Sequence, residues 1–352
     1  MQNQSYVVKL RKRTANSDEI RSISQNRLDS STSIILPLAL NPLGATLWLY
    51  REAFGTPCDA MLVRIGVVEF RPETGEKERN IRKGLDIIEE AGNQDVNILC
   101  FPELWTTGYL AGPRLRELAE KIPGSTTRAL ASASSKQGML LIGGAVPELA
   151  GRNLYDTVFV ADRKGSLLGK HRKAHLWGDY ENEYFTPGQE CTVISSEFGK
   201  LGLGVCFDGD FQEYSRVLAL KRAKIFFNPS GYPSPDQEDW RVFYSCFAKQ
   251  NGFYIVCANL VGHESGTLAG NFYPDGVDFF GESRIIDPFG KTIIQSDPRR
   301  MDTALYVAQI DLSIVEKAQS RPFFNLNYRR PELYGRLTTR RRAPRRGVRA
   351  TG

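Results

Sequence analysis

Between residues 62 and 310 the chain alternates short apolar runs with amphipathic stretches, and this alternation constrains the fold more than any other feature. Leu62 to Phe70 reads as a strand. Glu76 to Ala91 sets Ile81, Leu85 and Ile88 on one helical stripe, and Val96 to Phe101 is again a continuous apolar run. Helical patterns at 113–122 and 126–137 precede a strand from Met139 to Ala145. Further strands are expected near 153–161, 201–206, 223–228, 253–259, 278–286 and 303–310, with helices near 211–221 and 237–250. Short apolar runs bury themselves by pairing into sheets, and the helices between them cover the sheet faces, so the expected class is a layered α/β fold. The sequence has no internal repeat of the length that marks a solenoid.

With 352 residues, 41% hydrophobic and 24% charged, the chain has material for one large domain or two smaller ones. Its charge is unevenly placed. Residues 336–352 hold seven Arg and no acid, residues 1–60 hold seven Lys or Arg against five Asp or Glu, and the middle carries 32 basic against 35 acidic residues. The basic character therefore belongs to the ends. The tail has no aromatic residue between its arginines and so no platform on which bases would stack. A solvated or assembly-contacting tail is expected, and no specific nucleic-acid binding.

Six cysteines, at 58, 100, 191, 206, 246 and 257, are widely spaced and form no Cys-x-x-Cys pair, which suits reduced thiols in a cytoplasmic protein. No apolar run approaches the roughly 18 residues of a membrane span. The nearest, Ile34 to Tyr50, is broken by Pro37, Asn41, Pro42 and Gly44, and Asp18, Glu19 and Asp29 are wrong for a targeting segment. Met61 begins a run that reads as a first strand, so residues 1–60 are expected to be a poorly ordered extension with Met61 as an alternative start. The expected division is 1–60 extension, 61–335 domain and 336–352 Arg-rich tail.

Three segments each carry one residue type of an amide-hydrolysing site: Phe101-Pro102-Glu103, His171-Arg172-Lys173-Ala174-His175 and Gly204-Val205-Cys206-Phe207-Asp208. A thiol is weakly ionised at neutral pH, so Cys206 needs a base within reach, and Glu103 is suited to that. Lys173 and a backbone N–H beside the nucleophile would stabilise the oxyanion.

The stretches 101–109 (Phe-Pro-Glu-Leu-Trp-Thr-Thr-Gly-Tyr), 172–176 (Arg-Lys-Ala-His-Leu) and 206–216 (Cys-Phe-Asp-Gly-Asp-Phe-Gln-Glu-Tyr-Ser-Arg) resemble, in the same order, the Glu-Lys-Cys signatures of the nitrilase superfamily of carbon-nitrogen hydrolases. The resemblance runs from about Leu62 to Gly335. It includes Asn228-Pro229-Ser230, Asn251-Gly252-Phe253, Gly281-Glu282-Ser283 and Asp287-Pro288-Phe289-Gly290. It implies a four-layer α-β-β-α sandwich, Glu103, Lys173 and Cys206 as catalytic residues, and Glu181 as a fourth member that positions substrate or lysine. It also implies hydrolysis of an aliphatic amide or N-carbamoyl amine through a cysteine thioester, with no metal or organic cofactor, in a homodimer or higher homo-oligomer. Cys206-Phe207-Asp208 is similar to the amidase and carbamoylase branch; a nitrilase acting on a nitrile is the alternative.

Each residue has a plainer reading. Cys206 alone would be a buried core thiol, Glu103 a turn cap, Lys173 one charge in an exposed basic run, and Glu181 a surface carboxylate. His171 and His175 have the spacing of helical metal ligands, but His175 is expected to order the lysine loop. Asp210 reads as an exposed acid at a helix start, with a substrate-facing role second. Gln212, Phe247 and Gln250 depart from the family's usual residues and make transfer of a particular substrate unsafe.

Overall fold

The structure, a computed structural model, describes residues 60–266 and 275–339. Nearly all of the expected N-terminal extension, and the tail from residue 340, lie outside the described residues. In chain order the elements are β1 (Leu62–Glu69), α1 (Lys77–Asn93), β2 (Ile98–Cys100), α2 (Leu115–Leu118), α3 (Ser125–Lys136), β3 (Leu140–Ala150), β4 (Asn153–Ala161), β5 (Leu167–Arg172) and α4 (Gly178–Tyr184). There follow β6 (Val193–Ser196), β7 (Gly199–Leu203), α5 (Gln212–Leu220), β8 (Ile225–Ser230), α6 (Gln237–Asn251), β9 (Tyr254–Asn259), β10 (Val261–Glu264), β11 (Val277–Phe280), β12 (Arg284–Ile286), β13 (Thr292–Gln295), β14 (Ala304–Asp311) and α7 (Ser313–Gln319).

Two six-stranded sheets form, in the orders β14-β1-β2-β3-β4-β5 and β13-β12-β9-β8-β7-β6. Each has a parallel centre, β1-β2-β3 or β7-β8-β9, with antiparallel strands outside it. The period of two along each strand divides its side chains between two layers. Ile65, Val67, Ile98, Cys100, Ile142 and Val158 share a core with Leu201, Leu203, Ile225, Phe227 and Val256, which joins the two sheets face to face. Their neighbours Val68, Leu99, Leu141 and Phe159 instead pack on Ile87, Ile88 and Ala91 of α1 and Leu130 of α3. On the second sheet Phe226 meets Tyr214 of α5. The architecture is the expected α-β-β-α sandwich.

Several elements differ from the sequence reading, each for a local reason. The buried face of α1 is Asn80, Gly84, Ile87, Ile88 and Ala91. Leu85 is displaced from its centre because the helix lies against the Trp105 indole at Gly84, where a Cβ would sit 2.4 Å from the ring. The helix expected at 113–122 shrinks to Leu115–Leu118, since Pro123 disfavours helical backbone at Ile122, and Lys77 Nζ claims the Leu118 carbonyl at 2.6 Å. The single strand expected over 278–286 is two strands in different sheets, β11 and β12. Gly281 and Glu282, at φ 70° and 51°, break it. The helix α4, strands β5, β6, β10 and β13 and helix α7 have no counterpart in the sequence reading. Those strands are four to six residues long and show no regular alternation of polar with apolar residues, so no strand period marks them in the sequence.

Candidate active site

Glu103 and Cys206 each lie three residues beyond a parallel strand, β2 and β7, at the carboxyl ends where α/β sheets present functional groups. The turn after β2 is fixed by β3. Ala145 N donates to the Pro102 carbonyl (3.2 Å), Leu104 N to Ala145 O (2.7 Å), and Trp105 Nε1 to Gly143 O (2.9 Å). A bulge at Gly143-Gly144 permits this: Gly144 has φ 72°, and a Cβ there would lie 2.2 Å from the Pro102 oxygen. From the opposite sheet Glu103 N reaches Ser230 O (3.4 Å), and Gly231 N donates to Glu103 Oε2 (2.6 Å). Both sheets therefore hold this carboxylate.

Lys173 extends the β4–β5 ladder by one residue, donating its N–H to Asp156 O at 2.8 Å. Its ammonium lies between two carboxylates, at 2.7 Å from Glu103 Oε1 and 2.6 Å from Glu181 Oε1, and all three side chains are fully buried. Glu181 comes from α4 and also accepts from Tyr109 OH (2.5 Å) and Trp177 N (2.7 Å). Burial opposes the charge on Lys173, but the fields of Glu103 and Glu181 more than offset it and hold the ammonium well above its ordinary range. Burial raises Glu181, and repulsion by Glu103 adds to this against the pull of Lys173.

Cys206 opens a tight turn over residues 206–210 with φ 45°, a conformation uncommon for a side-chain-bearing residue. Its carbonyl accepts from Asn228 Nδ2 (3.0 Å) and Tyr244 OH (3.3 Å), which keeps the strained backbone in place. Asp208 ties this turn to the lysine loop. Its carboxylate accepts from Val205 N (3.1 Å), Ala174 N (3.1 Å) and His175 N (2.9 Å), and it meets His175 Nδ1 at 2.7 Å and His171 Nε2 at 3.0 Å. Burial works against its charge, yet the hydrogen bonds from His171 and His175 hold it below the usual carboxylate range. Both histidines of the i, i+4 pair thus point a ring nitrogen at one carboxylate, and among the described residues no group of three His, Cys, Asp or Glu is arranged to hold a metal ion.

Burial and the negative charge of Glu103 push the Cys206 thiol well above its ordinary value, so the resting sulfur is protonated and needs a base at the moment of attack. Two further acids lie close by. Asp156 on β4 is almost completely buried, and burial with repulsion by Glu103 holds it well above the carboxylate range; in its protonated form it hydrogen-bonds to Glu103. Asp210, expected as an exposed helix-start acid, is instead largely enclosed: Oδ2 accepts from Tyr232 OH at 2.8 Å, and Oδ1 is out of reach of solvent without a partner. The chain turns inward there because the turn that presents Cys206 ends at Asp210, before α5 begins.

Glu103, Lys173 and Glu181 are thus brought into direct contact, with Cys206 in their electrostatic field. Asp208, Asn228, Tyr109 and Tyr232 were not assigned roles from sequence. Three of them sit inside the quoted motifs, and that was the signal available. Residues 64–319 match the family model described as Carbon-nitrogen hydrolase. A probable nitrilase of Schizosaccharomyces pombe is 29% identical over 283 residues, 79% of this chain and 99% of that protein. The 2-oxoglutaramate amidase of Bacillus subtilis is 29% identical over 264 residues, 74% of this chain and 96% of that protein. Among solved structures, a carbon-nitrogen hydrolase from Helicobacter pylori superposes with a TM-score of 0.71 at 27% identity, covering 79% of this chain and 99% of the other. The order of the motifs, the sandwich and the match over residues 64–319 agree: the chain belongs to the carbon-nitrogen hydrolase family.

Proposed function

We propose that the protein hydrolyses a small linear amide, releasing ammonia, with Cys206 as nucleophile, Glu103 as general base and acid, Lys173 as oxyanion partner and Glu181 as the group that fixes Lys173. The observation that carries this reading is the buried Lys173 ammonium held between two carboxylates beside a strained cysteine turn. Glu103 takes the Sγ proton as the sulfur attacks the carbonyl carbon, and charge moves to the carbonyl oxygen. Lys173 has three protons, two of them given to Glu103 and Glu181, so one remains for that oxygen. The Phe207 N–H, in the first turn of a helical segment and therefore without an acceptor within it, supplies a second donor. Collapse of the intermediate breaks the C–N bond as Glu103 returns its proton to nitrogen, and ammonia leaves. Water, deprotonated by Glu103, then cleaves the thioester to the acid, or to a carbamate where the substrate was an N-carbamoyl amine.

Ammonia release from a panel of short amides, N-carbamoyl amines and nitriles tests the assignment. Amide turnover that Cys206→Ala abolishes, with an acyl adduct on Cys206 in mass spectrometry, is expected. Full turnover by Cys206→Ala would overturn the scheme, and turnover confined to nitriles would favour nitrilase chemistry in the same site. We also propose a homo-oligomer. Phe323, Tyr328, Leu333 and Leu337 are exposed on the C-terminal segment and border a groove with Arg216 and Gln250, an apolar surface suited to a second copy. Five described cysteines are unpaired, which supports a reducing, cytoplasmic location for the residues 61–335 domain.

A further inference from the structure

Asp210 stands four residues after Cys206 in the same turn, and the bridge it makes ends beside the base. Its Oδ2 accepts from Tyr232 OH at 2.8 Å, and Tyr232 follows Gly231, whose N–H holds Glu103 Oε2 at 2.6 Å. The Asp210–Tyr232 pair therefore spans from the nucleophile's turn to the loop that grips Glu103. The other oxygen, Oδ1, is enclosed without a hydrogen-bond partner, in the same turn as the nucleophile. The charge around it is one-sided. Asp236 and Asp239, at the start of α6, repel its negative charge, and the cation that acts on it, Lys173, is already bound by Glu103 and Glu181.

Resting on the amidase reading above, we propose that Asp210, oriented by Tyr232, selects amides whose acyl chain ends in an ammonium group and disfavours those ending in a carboxylate. An ammonium supplies the donor that Oδ1 lacks and is attracted by the Asp210 charge; a carboxylate would be repelled by it. The selection would set this chain apart from its relative named as a 2-oxoglutaramate amidase, a name that describes a substrate bearing a carboxylate. Burial, with Asp239 and Asp236, pushes the Asp210 carboxyl up to about 7, against the hydrogen bond from Tyr232 and the pull of Lys173. An ammonium substrate needs the ionised form, so its advantage over a neutral isostere should grow from about pH 6 to about pH 8.

The test compares three amides of matched length that differ only at the far end: δ-aminovaleramide (ammonium), hexanamide (methyl) and adipamate (carboxylate). For the full-length protein, kcat/KM for δ-aminovaleramide should exceed that for hexanamide by about tenfold or more and that for adipamate by about a hundredfold. In Asp210→Asn, which keeps the shape and an acceptor for Tyr232, the advantage over hexanamide should fall to about twofold or less, mainly through KM. Calorimetric titration of Cys206→Ala with the same amides reads the same preference without turnover. Adipamate turned over as well as δ-aminovaleramide, or an unchanged ratio in a folded Asp210→Asn, would overturn the inference while leaving the amidase reading intact. Should that variant not fold, the wild-type ratio decides alone. Release of ammonia from none of the three, with no binding to Cys206→Ala, would overturn the inference, and the wider panel of amides, N-carbamoyl amines and nitriles then decides the amidase reading separately.

Discussion

Three carboxyl groups, Glu103, Glu181 and Asp156, share the field of one ammonium, Lys173, in a region closed to solvent. Fully ionised, that set would carry excess negative charge in a medium that stabilises it poorly, at a cost of several kcal/mol per unpaired ion. Glu103 and Glu181 are bonded to Lys173 and to backbone N–H groups, so Asp156, which has no cation or N–H donor and hydrogen-bonds to Glu103, is the group that stays protonated. Asp156→Asn, neutral and of the same shape, is therefore expected to fold and to change kcat/KM by less than about threefold. A loss of about a hundredfold in the ammonia assay would show that Asp156 works ionised. Residue identity revealed Glu103, Lys173 and Cys206 because each sits in a run of distinctive neighbours. It could not reveal Asp156, one acid in an ordinary strand, and it misjudged Asp210, because the enclosure of a carboxylate depends on chain segments remote in sequence such as Tyr232.

Strand ends, not strand interiors, do the positioning in this fold. Two turns carry residues at positive φ beside the reacting groups, Leu104 after Glu103 and Cys206 itself, at 48° and 45°. Each is held by a neighbouring strand: β3 through the Gly143-Gly144 bulge, and β8 through Asn228. Gly144→Ala places a methyl 2.2 Å from the Pro102 oxygen at φ 72°, so the Glu103 turn must move. Denaturant unfolding should show a loss of about 2–4 kcal/mol, and kcat should fall at least about tenfold as Glu103 shifts from its hydrogen bonds. Unchanged kcat would mean that the bulge does not set the position of Glu103. Strands such as 153–161 and helices such as 237–251 were legible because period and length agree over a whole element. The break at Gly281-Glu282 was not, since Glu282, at positive φ, is ion-paired with Arg241 of α6, remote in sequence, as well as with its neighbour Arg284.

At the scale of the molecule, the two sheets are joined by more than apolar packing. Glu69 ends β1 in the first sheet, and it accepts from Ser283 N (3.2 Å) and Ser296 Oγ beside β12 and β13 of the second, while its Oε1 has no partner. Burial pushes this carboxyl up to about 7, against the hydrogen bonds from Ser296 and Ser283. Its folded form binds a proton more tightly than the unfolded chain does, so the associated stability is present at acid pH and is lost as pH rises through about 7, by at most about 3 kcal/mol. The melting temperature should fall between about pH 4.5 and about pH 7 and level off above that, and Glu69→Gln should flatten that decline. An equal decline in the variant would place the titration elsewhere. The sequence by itself determined the α/β class, the family resemblance and the identities of the nucleophile, base and lysine, because these are written in local runs whose chemistry is carried by neighbours in the chain. Only the tertiary structure decided that Glu181 shares the lysine, that Asp208 ties its loop to the nucleophile, and that Asp156 and Asp210 are enclosed. Burial and charge pairing are set by which distant segments meet, and no local pattern encodes that meeting.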